Sequence, residues 1–486
     1  MAGFRESLPA SLQAILQNGL LDHVFEDALV ASFLYDTLAD VRPWAGGLGS
    51  TSIMTRGGLL TPNTVPITGS DAGVSSYGFE QYQLQMNQYG SSIDTNMATS
   101  AMALASKFLE DNTKLGIVAA QSLDLVAQAS LYGAYSGGNA YATGAQSSTS
   151  LPISDLTGFG QTLVADSTTN SNAAEGNQGV AVPSLVQVSS GNQGYFLNGV
   201  QGIFGYSGWL QTGPAGSQGT ATNPAGPGTL TGLFLGGSGV QGTMVAGQSV
   251  VTCLPGCTGV YGGNNVVATT YSPLAPYIVR PNAKTSQWGL QSTDVATLAT
   301  FRNAVTRLKS QHVPQLKGAY TAHVTPQTVA ELFQDTEFQS AYRGAAAATQ
   351  SPVYPDNMIG SSIGGDATFL GRLAGIDWIE NTITPVVYNP AAGFQGAIYR
   401  DIVVGADALI KGPFQDQAGL LANMTAGSTV EIKELGGVVR ILRAPLDRLG
   451  QVLSSTWSWI GGYTTGSDIL TGDNAVYKRA VIVEHA

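Results

Sequence analysis

Residues 94–135 read DTNMATSAMALASKFLEDNTKLGIVAAQSLDLVAQASLYGAY. Met97, Ala101, Leu104, Phe108, Leu115, Val118, Ser122, Leu125, Ala129 and Tyr132 recur there at three- and four-residue steps. That spacing lays one stripe along about ten helical turns. Asp94 is placed to act as N-cap, and Gly137-Gly138 supplies the stop. At 1.5 Å per residue such a helix is roughly 60 Å long, far above the usual ~11 residues. The competing reading is two helices broken near Gly116.

Upstream, residues 57–92 predict an extended hairpin. Tyr82, Leu84 and Met86 alternate with Gln81, Gln83, Gln85 and Asn87, the period-two pattern of a half-buried strand. Pro62 and Pro66 suit an edge limb, and Gly69 to Gly73 supplies the turn. Residues 1–56 predict a partly helical arm, with Leu8, Leu12, Ile15 and Leu16 on one face and Val24, Phe25, Leu29, Phe33 and Leu34 on a second helix. The arm has too few large residues for a core of its own, so it is expected to pack on something else.

Downstream the texture changes. Between Glu175 and Arg280 there is no charged residue and no His, only Gly, Ser, Thr, Asn and Gln among short apolar runs. Residues 141–285 therefore predict a β-rich inserted domain of short strands and Gly/Pro turns. Helical spacing returns at 294–308, a strand follows at 320–324, and Thr325-Pro326 opens another helix. Residues 369–388 predict strands, 405–411 a short helix or turn, and 430–432, 438–442 and 480–483 further strands.

Only 11% of residues are charged, against roughly 25% in an average soluble domain. Glycine numbers 62. A surface so poor in charge is suited to being covered by neighbours. The net charge of -11 disfavours general nucleic-acid binding, although a container for DNA should avoid sticking to it. No signal-peptide pattern and no apolar run of membrane-spanning length occurs, which predicts a soluble protein made in the cytoplasm.

Few residues along the chain suggest chemistry. His23, His312, His323 and His485 occupy unlike contexts, and His323 reads as a hydrogen-bonded structural residue on a strand. Gly237-Ser-Gly239-Val-Gln-Gly242 matches a nucleotide-binding glycine pattern, but no helix follows it. Ala215-Gly216-Ser217-Gln218-Gly219 lacks the first glycine of a nucleophile elbow. Asp366, Asp377 and Glu380 could gather as a metal-binding cluster, but three acids around two predicted strands are usually a solvated edge. Cys253 and Cys257, two residues without a nearby His, are expected as free thiols. No catalytic residue, metal or cofactor is expected.

The order of elements resembles the major capsid proteins of tailed bacteriophages and herpesviruses, the Johnson fold shared with encapsulins. The likeness is carried by Phe79-Glu80-Gln81-Tyr82 running through Asp94 and Ala101 to Tyr135. Tyr320 to Pro326, continuing to Leu332-Phe-Gln-Asp335 and Tyr342-Arg343, and Gly371-Arg372-Leu-Ala-Gly375-Ile-Asp377-Trp378 add to it. The resemblance implies an α+β chain with an N-terminal arm (1–56), an E-loop hairpin (57–92) and a spine helix (93–140). It continues with the β insertion (141–285), an axial domain with part of the peripheral domain (286–425) and a peripheral β return (426–486). It implies a non-enzymatic shell protein that forms hexamers and pentamers around double-stranded DNA, assembled in the host cytoplasm and found in the virion. Portal and scaffolding proteins are the implied partners, with a decoration protein on the insertion. Tyr82, Leu84 and Met86 become expected hairpin contacts between subunits, and Leu12, Phe25 and Phe33 expected arm contacts. Residues 57–92 contain no Lys, so the lysine–asparagine cross-link of some members is not expected. Two alternatives stay open on sequence: an encapsulin-like cellular compartment, and a secreted β-rich adhesin or glycosidase.

Overall fold

The computed structural model describes residues 20–30, 34–44, 51–57, 66, 79–96, 106–165, 183–188, 194–198, 202–215, 218–219, 221, 224–235, 244–252, 260–262, 265–267, 278–284, 287–310, 312–348, 369–389, 395–424, 430–443, 452–466 and 479–486. In chain order come α1 (Leu20–Val30), β1 (Ala39–Val41), β2 (Thr51–Gly57), β3 (Phe79–Gln85), β4 (Asn87–Asn96) and α2 (Ser106–Ser136). Short strands β5 (Asn139–Tyr141) through β17 (Ile278–Val279) follow. Then come α3 (Leu298–Ser310), β18 (Tyr320–Val324), α4 (Pro326–Leu332), α5 (Thr336–Ala348), β19 (Phe369–Leu373), β20 (Ile376–Glu380), β21 (Val386–Asn389) and β22 (Gly396–Val404). The last elements are β23 (Leu409–Pro413), α6 (Gln417–Met424), β24 (Val430–Leu435), β25 (Val438–Arg443), β26 (Val452–Thr464) and β27 (Ala480–His485). The class is α+β, as expected.

Contacts divide the chain into two units. The first takes Met1–Met54, Gln83–Leu131 and Leu409–Thr465; the second takes Thr55–Tyr82, Tyr132–Ala408 and Gly466–Ala486. The chain thus passes between them several times, and the expected C-terminal block 426–486 is split. β24 to β26 belong to the first unit and β27 to the second.

In the first unit the sheet runs β1-β23-β26-β25-β24, with β4 also paired to β26. β26 carries Trp457 and Trp459 into a core shared with Phe25 and Leu29 of α1 and Leu115, Ala119, Ala120 and Leu123 of α2. The long helix is present: 31 residues of it are described, about 46 Å. Asp94 does not cap it, because it lies in β4 opposite Ser454. Met97, Ala101 and Leu104 lie outside the described residues. Gly116 does not break the helix either. A Cβ there would sit 2.8 Å from the Phe25 carbonyl oxygen and 3.1 Å from the Ala28 Cβ, so glycine is what lets α1 lie this close.

The buried face of α2 departs in part from the expected one: Phe108, Leu115 and Tyr132 face inward as expected, but Val118 and Leu125 do not. It includes Phe108, Asn112, Leu115, Ala119, Ala120, Leu123, Asp124, Ala127, Leu131, Tyr132 and Tyr135, while Val118 and Leu125 are 41% and 47% exposed. The physical reason is close approach. Small residues admit a neighbouring helix and sheet at short distance, whereas the bulkier Val and Leu that suggested the stripe stand outward.

In the second unit the main sheet runs β17-β27-β22-β18-β20-β19, with β21 added to β22. β18 lies parallel to β20 and antiparallel to β22. Its five residues are all buried, so it is a central strand covered on both faces. α3 contributes Leu298, Phe301, Ala304, Val305 and Leu308 to the core, which also holds Trp378. Thr325 caps α4 by accepting a hydrogen bond from the Thr328 amide, with Pro326 at the first turn. The segment 405–411 is a turn through Asp407, whose φ is 58°, leading into β23 rather than a helix.

The uncharged middle is β-rich, as read from its composition. One sheet includes β9 (Gly194–Asn198), β10 (Gly202–Tyr206) and β14 (Ser249–Thr252) with β5, and a second joins β6 (Ser150–Ile153), β11 (Gly208–Gln211) and β12 (Gly228–Thr231). Leu151, Ile153, Leu156, Phe159, Tyr206 and Leu230 form its core. The Tyr206 hydroxyl donates to the Phe159 carbonyl at 2.8 Å, which satisfies the one polar atom that ring brings inside.

Candidate functional site

Of the six side chains expected at subunit contacts, two are placed inside the first unit. Leu84 is fully buried. It fills the space over Gly412 and Gly462, where added Cβ atoms would lie 2.1 and 3.3 Å from its methyl carbons. Phe25 is fully buried in the core beside α2. Neither has surface left to offer a neighbour, which corrects the expectation for both. Met86 is half-buried in the break between β3 and β4. Tyr82 falls on β3, with its side chain outside the described residues, as are Leu12 and Phe33. β3 pairs with β2 as a two-stranded sheet. β2 (Thr51–Gly57) lies almost wholly in the expected arm, while most of the expected opposite limb falls outside the described residues. Ile53 on β2 is 63% exposed.

Two buried ionic centres flank β27, one on each face, because adjacent strand residues point to opposite sides. On one face Glu484 accepts from Arg280 Nε at 2.8 Å, Arg400 Nε at 2.9 Å and Gln287 Nε2 at 2.6 Å. Burial works to raise its carboxyl, but the two guanidiniums and the Gln287 bond outweigh it and hold it below the usual range. On the other face His485 lies 3.0 Å by Nδ1 from Glu331 Oε2 and 3.2 Å by Nε2 from Asp401 Oδ2. Burial opposes its charge, yet bonds to Asp401 and Glu331 push the imidazole up to about 9. It is therefore an imidazolium held between two buried carboxylates. Asp401 also accepts from the Thr325 amide and the Thr328 hydroxyl, and Glu331 from the Ala296 amide.

Thr328, His485 and Glu331 have the distances of a nucleophile, base and orienting acid, with Thr328 Oγ1 2.8 Å from His485 Nε2. The chemistry does not follow. Thr328 is fully buried, its hydroxyl donates to Asp401 at 2.7 Å, and the imidazole already holds its proton. The arrangement is a lock between β27, β22 and α4. Sequence reading missed it because Thr328, Glu331, Asp401 and His485 are dispersed; the one signal was Glu484-His485 ending an otherwise apolar strand.

In the first unit, Asp124 of α2 is fully buried. Its Oδ1 accepts from the backbone amides of Leu34, Tyr35 and Asp36 at 3.1, 2.6 and 3.1 Å. Burial pushes the carboxyl up to about 6 despite these bonds, and the Asp36 charge adds to the rise. Asp36 in turn accepts from Lys411 Nζ at 2.8 Å and the Tyr463 hydroxyl at 2.6 Å. Asp22 of α1 pairs with Lys433 and with the buried Arg440 at 2.5 Å. α1 and the segment after it are thus tied to the helix and sheet by charge as well as by packing.

A pH dependence follows for Asp124. Its folded form holds the proton more tightly than an unfolded Asp near 3.9, so its contribution is complete below about pH 4 and is lost as pH rises through about 6. The loss amounts to about 2–3 kcal/mol. Thermal melts at pH 4 and 6.5 should show a smaller difference in Asp124→Asn than in the wild type. An equal difference would remove Asp124 as the cause.

His323 is fully buried, faces Asn381 Nδ2 across 3.2 Å, and is pushed by burial down to about 3. It is a neutral structural residue, as expected. Asp377 is held by Arg372 at 2.6 and 2.8 Å, a structural pair on the β19–β20 hairpin, and Asp366 lies outside the described residues, as do Cys253 and Cys257. Among the described residues no group of three or more His, Cys, Asp or Glu side chains could hold a metal ion. Among them also, no helix is long and apolar enough to cross a membrane.

No protein-family model matches the chain, and no curated protein matches it. Solved structures do. The capsid of Ralstonia phage GP4 is similar over 94% of this chain and 90% of its own, at 12% identity and a TM-score of 0.47. The acid-stable capsid of Helicobacter pylori bacteriophage KHP30 is similar over 93% and 90%, at 10% identity and a TM-score of 0.37. The capsid of cyanophage P-SCSP1u is similar over 93% and 88%, at 11% identity and a TM-score of 0.40. All three are phage capsids.

Proposed function

We propose that this chain is the major capsid protein of a tailed bacteriophage, a non-enzymatic subunit that closes into a shell around double-stranded DNA. The observation that carries this is the outward face of α2. Glu110 and Lys114 pair on it near its start, but further along the exposed residues are Val118 and Leu125. Together with the exposed Ile53 on the β2–β3 ribbon, this apolar surface is what a second copy would cover. A chain with 11% charged residues has few charges with which to keep so large a surface in water.

On this reading the first unit is the peripheral domain, the main sheet of the second is the axial domain, and the uncharged β region is an insertion on the shell. Met86 and Tyr82 remain proposed hairpin contacts, and Leu12 and Phe33 proposed arm contacts. A contact burying about 1,000 Å² or more is stable alone, and repetition around a closed shell multiplies it. Portal and scaffolding proteins, and a decoration protein on the insertion, complete the proposed partners, with assembly in the host cytoplasm. Sedimentation of the purified full-length chain tests the reading: fast-sedimenting particles or capsomers support it. A species that stays monomeric at every concentration, with and without a co-expressed scaffold, overturns it.

A further inference from the structure

The cations of this chain are unevenly placed. Between Asp294 and Glu331 there is no Asp or Glu, while Arg302, Arg307, Lys309 and Lys317 fall there; the chain as a whole has 32 acidic and 21 basic residues. The fold gathers part of this set. Lys309 ends α3, and its Nζ lies 3.9 Å from the Cβ position of Gly375 in the β19–β20 turn. Lys317 is in the loop entering β18, where its carbonyl accepts from Arg372 Nη2 at 3.3 Å, and Arg372 Nη1 lies 3.9 Å from the Cβ position of Gly318.

Arg372 is committed to Asp377, and Arg302 to Glu337. Lys309 and Lys317 are exposed and make no ion pair among the described residues. Complementing the C-terminal end of α3 accounts for Arg307 and Lys309, but Lys317 lies on no helix. The surface between them carries Ser310, His312, Gln315 and Gly318, all exposed, and no large exposed hydrophobic residue of the chain falls within 302–319.

We propose that this surface, formed by the end of α3, the loop into β18 and the β19–β20 turn, is where the chain meets the phosphate backbone of duplex DNA without reading its sequence. The inference rests on the shell reading above. Lys, Ser and Gln over glycine turns are the residue types that contact phosphates. A docking site for an acidic protein segment should instead carry aromatic or Met anchors and few Lys. Two lysines per subunit bind weakly, yet a shell presents them many times over, which holds the cargo in place without trapping it.

The test is anisotropy of two short labelled duplexes of unrelated sequence, titrated with the full-length chain between about 50 and 200 mM salt. Wild type should bind both duplexes alike. Lys309→Gln with Lys317→Gln should flatten the slope of log affinity against log salt by roughly 1.8, at ~0.9 for each phosphate no longer neutralised. Arg443→Gln, exposed on β25, should leave the slope unchanged. An unchanged slope in the double variant, or no binding by wild type at the lowest salt, overturns the proposal. So does tighter binding of polyglutamate than of DNA that the same double variant abolishes, since it would mark an acidic protein as the partner. Particles seen by electron microscopy for both proteins separate these results from failure of the shell reading itself.

Discussion

Replacing His485 with alanine should lower the stability of the second unit by about 3–5 kcal/mol, the range for breaking a buried pair by removing one partner. Asp401 is fully buried and Glu331 nearly so, and without the imidazolium both face one small space as unneutralised carboxylates. The effect has a pH signature. The folded imidazole titrates near 9 and an unfolded one near 6.5, so its contribution is complete below about pH 6.5 and is lost as pH rises through about 9. It amounts to about 3 kcal/mol. Calorimetry should therefore show wild type losing stability between pH 6.5 and 9 while His485→Ala, already low, changes less. His485→Gln, which keeps a donor, should recover part of the loss. A midpoint shift for the alanine variant below about 1 °C would show that the centre is not holding β27 to α4.

Replacing Val118 and Leu125 together with aspartate should leave the fold intact and abolish assembly. Both side chains already stand in water, at 41% and 47% exposure, so surface substitutions there should cost within about 0.5 kcal/mol each. In a contact with a second copy, however, each carboxylate would be buried without a partner, at a cost of several kcal/mol. A shell multiplies that penalty at every repeat. The expected result is a circular dichroism spectrum and melting profile like wild type beside a sedimentation profile reduced to small species. Full assembly by the double variant would take α2 out of the interface. Val118→Ile with Leu125→Met, which preserves apolar volume, should assemble normally.

How much of this was legible beforehand varies by element. The presence of the long helix, the β texture of the uncharged middle and the Thr325-Pro326 helix start could be read, because each rests on local periodicity or on a cap. The inward face of α2 could be read only in part, at Phe108, Leu115 and Tyr132. Large apolar residues usually mark the core, but here Gly116, Ala119, Ala120 and Ala127 face inward, since what packs there comes too close for larger side chains. Nothing in the spacing of 94–135 tells close packing from a small-residue surface.

Long-range partnership set the other limit. β26 and β22 escaped the reading because their residues do not alternate: β26 interleaves serines and glycines with Trp457 and Trp459, and its serines are buried as well. Leu84 reads as an exposed contact until Gly412 and Gly462, hundreds of residues away, open the space it fills. Asp124 looks like a flaw in an apolar stripe until three amides from 34–36 arrive at its carboxylate. His485 looks like a solvated end residue until Glu331 and Asp401 close on it.

The measurement that bears most directly on the central claim is negative-stain electron microscopy of the full-length chain expressed without other phage proteins, taken after size exclusion. The account predicts closed shells, tubes or rings of capsomers. A uniform population of separate monomers, unchanged by concentration or by a scaffold protein, would contradict it.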